Sequence, residues 1–252
     1  NGPIASPLLS VTEFESLLSG GRPLCLVHIP KTAGSTFVEH FRSQASLEAT
    51  FWYSAAQREA FFTAAEAGDD NATRICGGHF AIHDFLQYQG ETEPVFLSFV
   101  RHPVDRLVSY YLFARRSGAG HEAAAAAEAL DLYGFLQYLE RHRPRILFNQ
   151  QCRFLSPDRE LAMAMEVRFD EVEAAWGGVS LFLAAMTSCN DVIRRVSVVA
   201  LGRCAASLQK RKVTRERPAG LPDERSRQYI LDANAEDLKL YQAAGIYRGV
   251  EQ

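Results

Sequence analysis

One stretch constrains this chain more than any other: Val27-His28-Ile29-Pro30-Lys31-Thr32-Ala33-Gly34-Ser35-Thr36-Phe37. An apolar run over residues 24–29 leads into it, and amphipathic residues 37–41 follow. The pattern predicts a strand, a tight turn and a helix. The turn sets a lysine, a glycine and three hydroxyls where the helix begins. Unbonded N–H groups and the positive end of a helix make such a turn an anion site. Lys31 adds a mobile point charge, and Thr32, Ser35 and Thr36 add hydroxyl donors. The nucleotide-triphosphate loop is a different object: it needs Gly, four residues, then Gly-Lys-Ser/Thr. Here the lysine precedes the glycine and the spacing is shorter. A plain strand-to-helix turn accommodates the same residues, so the stretch alone leaves both readings open.

Composition narrows the partners. The 252 residues suit one large α/β domain or two small ones. With 47% apolar residues there is ample material for a core. A net charge of −3 gives no global basic field, which argues against nucleic acid; an anionic ligand must be met by a local cluster. The cysteines at 25, 76, 152, 189 and 204 form no CxxC and have no paired histidine spacing. They signal neither a zinc site nor a disulfide framework, and their odd number favours a reducing compartment. No apolar run has the length of a membrane span and the first residues do not resemble a signal peptide. A catalytic domain cut from an anchored parent fits these facts as well.

Two further stretches carry chemistry. Residues 94–100 read as a strand buried on both faces, the signature of a parallel sheet, and end in Arg101-His102-Pro103. Pro103 suits the first turn of a helix, and residues 104–113 carry apolar side chains at 104, 107, 108, 111 and 112. Arg101 and Ser109 can then reach one ligand at the carboxyl edge of the sheet, where open α/β sheets bind ligands. A surface ion pair and a solvated serine are the plain alternatives. Residues 74–77 form a short strand candidate opening into Gly78-His79-Phe80-Ala81-Ile82-His83. Glycines at 77 and 78 let the backbone approach a neighbour and aim the His79 ring; a buried core histidine is equally consistent.

The rest is organised around these. Residues 1–20 form a lead-in with a short helix at 11–18, capped by Ser10 or Thr12 and ended by Gly20-Gly21. Helices are expected at 35–44, 54–67, 130–140, 158–168, 169–186 (broken near Gly177-Gly178) and 221–241. A β-branched run at 196–201 predicts a further parallel strand. Residues 114–129 are low in complexity, either a mobile loop or an alanine-rich helix start. Residues 141–145 and 210–217 concentrate positive charge, and Asn71-Ala72-Thr73 is a formal glycosylation sequon of little weight. No internal repeat is present, so a single domain over 1–252 is expected.

The order Pro-Lys-Thr-Ala-Gly-Ser-Thr after a strand resembles the 5′-phosphosulfate loop of sulfotransferases that use PAPS (3′-phosphoadenosine 5′-phosphosulfate). It looks closest to the branch with the heparan sulfate O-sulfotransferases and their bacterial relatives. Residues 100–111 resemble the 3′-phosphate motif of the same family, with Arg101 and Ser109 matching its arginine and helical serine. Phe148-Asn149-Gln150-Gln151-Cys152-Arg153-Phe154-Leu155 resembles its Asn-x-Gln-x-Arg-x-Leu segment, which implies that Asn149, Gln151 and Arg153, with His83, face the acceptor; buried structural amides are the alternative. The basic run at 210–217 resembles the family's late loop over the nucleotide, although Lys212 stands where the family usually has Asn. Residues 221–241 resemble its closing Asn-x-x-Asp-x-x-Leu-Tyr helix.

The resemblance implies a P-loop-like α/β fold with a central, mostly parallel sheet flanked by helices. It implies PAPS as co-substrate: the turn with Thr32, Ala33, Gly34, Ser35 and Thr36 on the 5′-phosphate, Arg101 and Ser109 on the 3′-phosphate, and Lys210, Arg211 and Lys212 in support. Lys31 meets the charge that grows on the leaving phosphate, and no metal is required. An acceptor hydroxyl needs a base within hydrogen-bond reach, and histidine suits that task near neutral pH. His79 matches the family's catalytic histidine, with His83 and His28 behind it. The expected acceptor is a glycan or glycosylated small molecule, with a small or carrier-bound alcohol as the alternative. Competing readings are a P-loop-type kinase or nucleotide hydrolase and a non-catalytic nucleotide-binding module. A bacterial cytoplasmic enzyme is favoured over a Golgi catalytic domain trimmed of its anchor.

Overall fold

The computed structural model describes residues 8–43, 49–54, 56–57, 59, 75–86, 93–118, 121–164, 166–201 and 220–246. Among these residues five strands form one all-parallel sheet: β1 (Leu24–Val27), β2 (Ala49–Trp52), β3 (Ile75–Gly78), β4 (Val95–Val100) and β5 (Leu181–Ala185). Their spatial order is β2-β3-β1-β4-β5, so β1 is central. The chain leaves β1 toward one edge and leaves β4 toward the other. The crevice between β1 and β4 is therefore a topological switch point, where open sheets of this kind bind ligands.

Both faces of the sheet are covered, which is why β1 and β4 read as unbroken apolar runs rather than alternating ones. Leu24, Leu26, Leu97 and Phe99 face the helices Val11–Ser19, Gly34–Arg42 and Cys189–Leu201. Cys25, Val27, Phe96 and Val100 face the opposite layer, with Leu155, Trp176 and Leu240. Each fully buried side chain of this size contributes about 2 kcal/mol. A third cluster joins the long helix Pro103–Ser117 to the helices Ala124–Ala129, Leu132–His142 and Glu224–Ala233. The first helix is fixed at its start by a capping box between Ser10 and Glu13, and it ends at Gly20.

The single α/β sheet, its parallel character and most helices follow the sequence reading. Four places differ. Residues 196–201 are not a strand but the end of the helix Cys189–Leu201. Val192, Ile193 and Val196 recur at helical spacing and pack on the sheet, so helical packing overrides the β-branched character of the run. The fifth strand lies instead at Leu181–Ala185, inside the stretch expected to be helical over 169–186. Five continuous apolar residues carry no period that separates a buried strand from a helix. Residues 221–241 form two helices, Glu224–Ala233 and Ala235–Ile246, parted at buried Asn234. Strand β2 was not anticipated. Residues 114–117 and 124–129 are helical, which fits the alanine-rich helix start rather than a loop. Much of the 54–67 helix, the sequon at 71–73, and Lys210, Arg211 and Lys212 with the rest of 210–217 lie outside the described residues.

Candidate active site

Strand β1 stops at Val27, and the turn begins two residues earlier than the apolar run suggests. Ser98 on β4 donates its hydroxyl to the Val27 carbonyl at 2.8 Å, locking the ends of the two central strands together. Thr32 Oγ1 donates to the Ile29 carbonyl at 2.8 Å and closes the turn. That commits the single hydroxyl proton of Thr32 to the fold, so its expected contact with a phosphate falls to its backbone N–H. Lys31 and Ala33 both adopt positive φ, 71° and 78°. For residues with a Cβ this conformation costs on the order of 1 kcal/mol or more each and marks functional turns. Ala33 occupies the N-cap position of the helix Gly34–Arg42 and has no side chain to cap it. In the first turn of that helix the Thr36 N–H bonds the Ala33 carbonyl at 2.9 Å, which leaves the N–H groups of Gly34 and Ser35 for a ligand, with Ser35 exposed and Thr36 half-buried beside them.

Gly34 is dictated by contact. A Cβ there would sit 2.6 Å from Nε2 and 2.7 Å from Cγ of His28, inside the imidazole. His28 is buried under the turn, and burial, then His79, then Lys31 lower its pKa to about 3. It is neutral and structural at ordinary pH. The glycine pair before His79 has the same logic. A Cβ on Gly78 would overlap the Trp52 carbonyl, and one on Gly77 would strike β1 at Leu26. His79 packs edge-on against His28 with centroids 4.4 Å apart, and against Tyr53 at 4.8 Å. It stands on the open side of this cluster, and the loss of water around its ring lowers its pKa to about 4. A ring that stays neutral at pH 7 is available to take a proton.

Arg101 leaves β4 next to this turn. Its Nη1 donates to the Lys31 carbonyl at 3.2 Å, so the lysine and arginine of the two motifs meet. The Lys31 ammonium lies 4.2 Å from the centre of the Phe113 ring. Ser109 is buried on the second turn of the same helix as Phe113.

Beyond His79 lies a cleft of about 310 Å³ whose walls include His83, Asp84, Arg145, Arg153 and Arg159. His83 shares this cleft with His79, its Nδ1 buried without a hydrogen-bond partner and its Nε2 3.9 Å from Asp84. Arg153 forms part of the wall while donating to the carbonyls of Phe148 and Ala162. Asn149 and Gln151 do not line this cleft; their bonding is that of the structural amides the sequence also allowed. They fall at the buried junction of the helices Gln150–Leu155 and Ala235–Ile246, where backbone ends need partners. Asn149 Oδ1 accepts from the N–H groups of Glu236 and Asp237, both at 3.1 Å. Asp237 accepts from Gln151 and Cys152 in return, at 3.0 and 2.8 Å. Gln151 bonds the backbone of Arg101.

Sequence reasoning missed Tyr53 and Phe113. Tyr53 follows the unrecognised strand β2, and Phe113 marked only the end of its helical stretch. Arg159 had no signal beyond its charge. Among the described residues no cluster of His, Cys, Asp and Glu could hold a metal ion.

The fold and site together define a parallel α/β protein with a strand-to-helix turn of positive-φ residues at its switch point and a neutral histidine one strand away. The sequence model of the sulfotransferase family matches residues 16–243. The chain belongs to that family. A "Heparin sulfate O-sulfotransferase" of Drosophila melanogaster is 50% identical over 38 residues, which span 15% of this chain and 11% of that relative. The solved mouse sulfotransferase SULT7A1, complexed with PAP, shares 13% identity with a TM-score of 0.39, over 76% of this chain and 64% of its own.

Proposed function

We propose that this protein transfers the sulfuryl group of PAPS to an acceptor hydroxyl on an acidic glycan. One observation carries the reading. The groups that such a reaction needs leave the carboxyl ends of three adjacent strands: His79 after β3, Lys31 after β1 and Arg101 after β4. In this reading the uncapped helix start at Gly34 holds the 5′-phosphate, and Arg101 with Ser109 holds the 3′-phosphate. Lys31 swings from Phe113 to the bridging oxygen. His79 takes the acceptor proton as the acceptor oxygen bonds to sulfur. The bond from sulfur to the bridging oxygen breaks, and its electron pair stays on the phosphate beside Lys31. Preorganised charge of this kind accounts for much of the rate in group transfer. The anionic donor next to His79 raises its pKa from the low value of the empty site, which strengthens the base when it is needed.

The cleft supports the acceptor class. Arg145, Arg153 and Arg159 on its walls favour a partner carrying carboxylate or sulfate, in a chain with no overall positive charge. The test is transfer of labelled sulfate from PAPS to a panel of acidic and neutral saccharides and simple alcohols. Product from acidic saccharides, with a rise in melting temperature on PAP but not on ATP with magnesium, is the expected result. Stabilisation by ATP with magnesium and none by PAP would refute the donor assignment.

A further inference from the structure

We propose that Gln151 is a positioning residue for the donor's 3′-phosphate, acting through Arg101; this rests on the reading of Arg101 given above. The Gln151 side chain bonds both backbone groups of that one residue. Its Oε1 accepts from the Arg101 N–H at 2.8 Å, and its Nε2 donates to the Arg101 carbonyl at 2.9 Å. Arg101 lies between the end of β4 and the helix that starts at Pro103, where neither ladder nor helix fixes its backbone. A primary amide that satisfies both groups at once fixes the direction in which the Arg101 side chain departs. The side chain then reaches the Lys31 carbonyl on the neighbouring turn.

The clamp itself is anchored. Gln151 is fully buried, and its own N–H is held by Asp237 at 3.0 Å. Asp237 is fully buried too, and Asn149 caps the helix that carries it. A continuous path therefore runs from the last helix through Asp237, Gln151 and Arg101 to the turn that bears Lys31. The pair of bonds needs a donor and an acceptor at glutamine's length. Glutamate supplies only the acceptor and asparagine is one methylene short.

The test is calorimetric binding of PAP and of adenosine 5′-phosphate, which lacks the 3′-phosphate, to the full chain. Wild type, Gln151→Met and Arg101→Ala are compared. The expected result is that Gln151→Met lowers the preference for PAP over adenosine 5′-phosphate by about tenfold, with the latter's affinity nearly unchanged. Equal loss for both nucleotides, or a lower melting temperature with the preference intact, would show a merely structural role and overturn the proposal. If Arg101→Ala keeps the preference, the assignment of Arg101 fails and this inference with it. If Arg101→Ala loses the preference and Gln151→Met keeps it, the inference alone fails. Should Gln151→Met not fold, Gln151→Asn carries the same comparison.

Discussion

Acid should destabilise this protein through His28. The ring lies under the turn that follows β1, 3% exposed, against Gly34 and His79. Burial holds its folded pKa at about 3, against 6.5 ordinarily. The unfolded chain therefore takes up the proton first as pH falls. The contribution of neutral His28 is whole above pH 6.5 and is lost progressively from there toward pH 3. At pH 5 an unfolded histidine of pKa about 6.5 is protonated some thirty to one, which amounts to a loss of about 2 kcal/mol. The figure barely changes if the folded pKa is nearer 4, because the folded ring is still neutral at pH 5. The assay is urea unfolding of wild type and His28→Gln at pH 7.5, 6.5, 5.5 and 5.0. The substitution adds a packing cost that does not depend on pH; the informative quantity is how the difference between the two proteins varies with pH. His40 and His79 also have lowered pKa values, but they titrate in both proteins and cancel. The gap between the two should shrink by about 2 kcal/mol from pH 7.5 to pH 5. Parallel lines across that range would refute the claim that His28 is held neutral.

Other outcomes follow from the same geometry. Gly34→Ala forces a methyl into the His28 ring and should cost about 1–3 kcal/mol, read by urea unfolding, and weaken PAP binding measured by calorimetry. His79→Gln should lower transfer by about 10²–10⁴-fold while calorimetry finds PAP affinity within threefold of wild type, on the order expected for loss of a general base. With His79 at about 4 in the empty site, kcat/KM for PAPS at low acceptor concentration should stay level from pH 7 to pH 5 and fall only below that. A bend near pH 6.5 would show an unperturbed histidine instead.

How much was legible in the sequence depended on whether local chemistry or distant packing made each feature. The turn at 28–34 was legible because lysine, glycine and hydroxyls at a helix start have few other uses together. The glycines before His79 announced a close approach, though not to which neighbour; Trp52 and Leu26 come from two other strands. Asn149 and Gln151 were visible as buried-amide candidates, but their partners lie near Asp237 and Arg101, more than forty residues away in both directions. Strand β5 and the helix Cys189–Leu201 exchanged places because Leu181–Ala185 is too short and too uniformly apolar to show a period. The valines of the helix matched strand propensity until packing decided otherwise. Tyr53 and Phe113 gave no signal, since an aromatic near a cation is recognised only once both are placed.

The all-parallel sheet also acts as a ruler. Adjacent strands are spaced about 4.8 Å apart by their backbone bonding, so three neighbours span roughly 10 Å at their tips. His79, Lys31 and Arg101, the proposed base, leaving-group cation and far-end cation, are thereby graduated by the scaffold and not by loop length. The arginine wall comes from elsewhere, the short helices between 144 and 163, which owe nothing to that spacing. On the proposed reading, exchanging Arg145, Arg153 and Arg159 while keeping Gln151 on the middle helix rewrites which molecule is modified and leaves the handling of the nucleotide untouched.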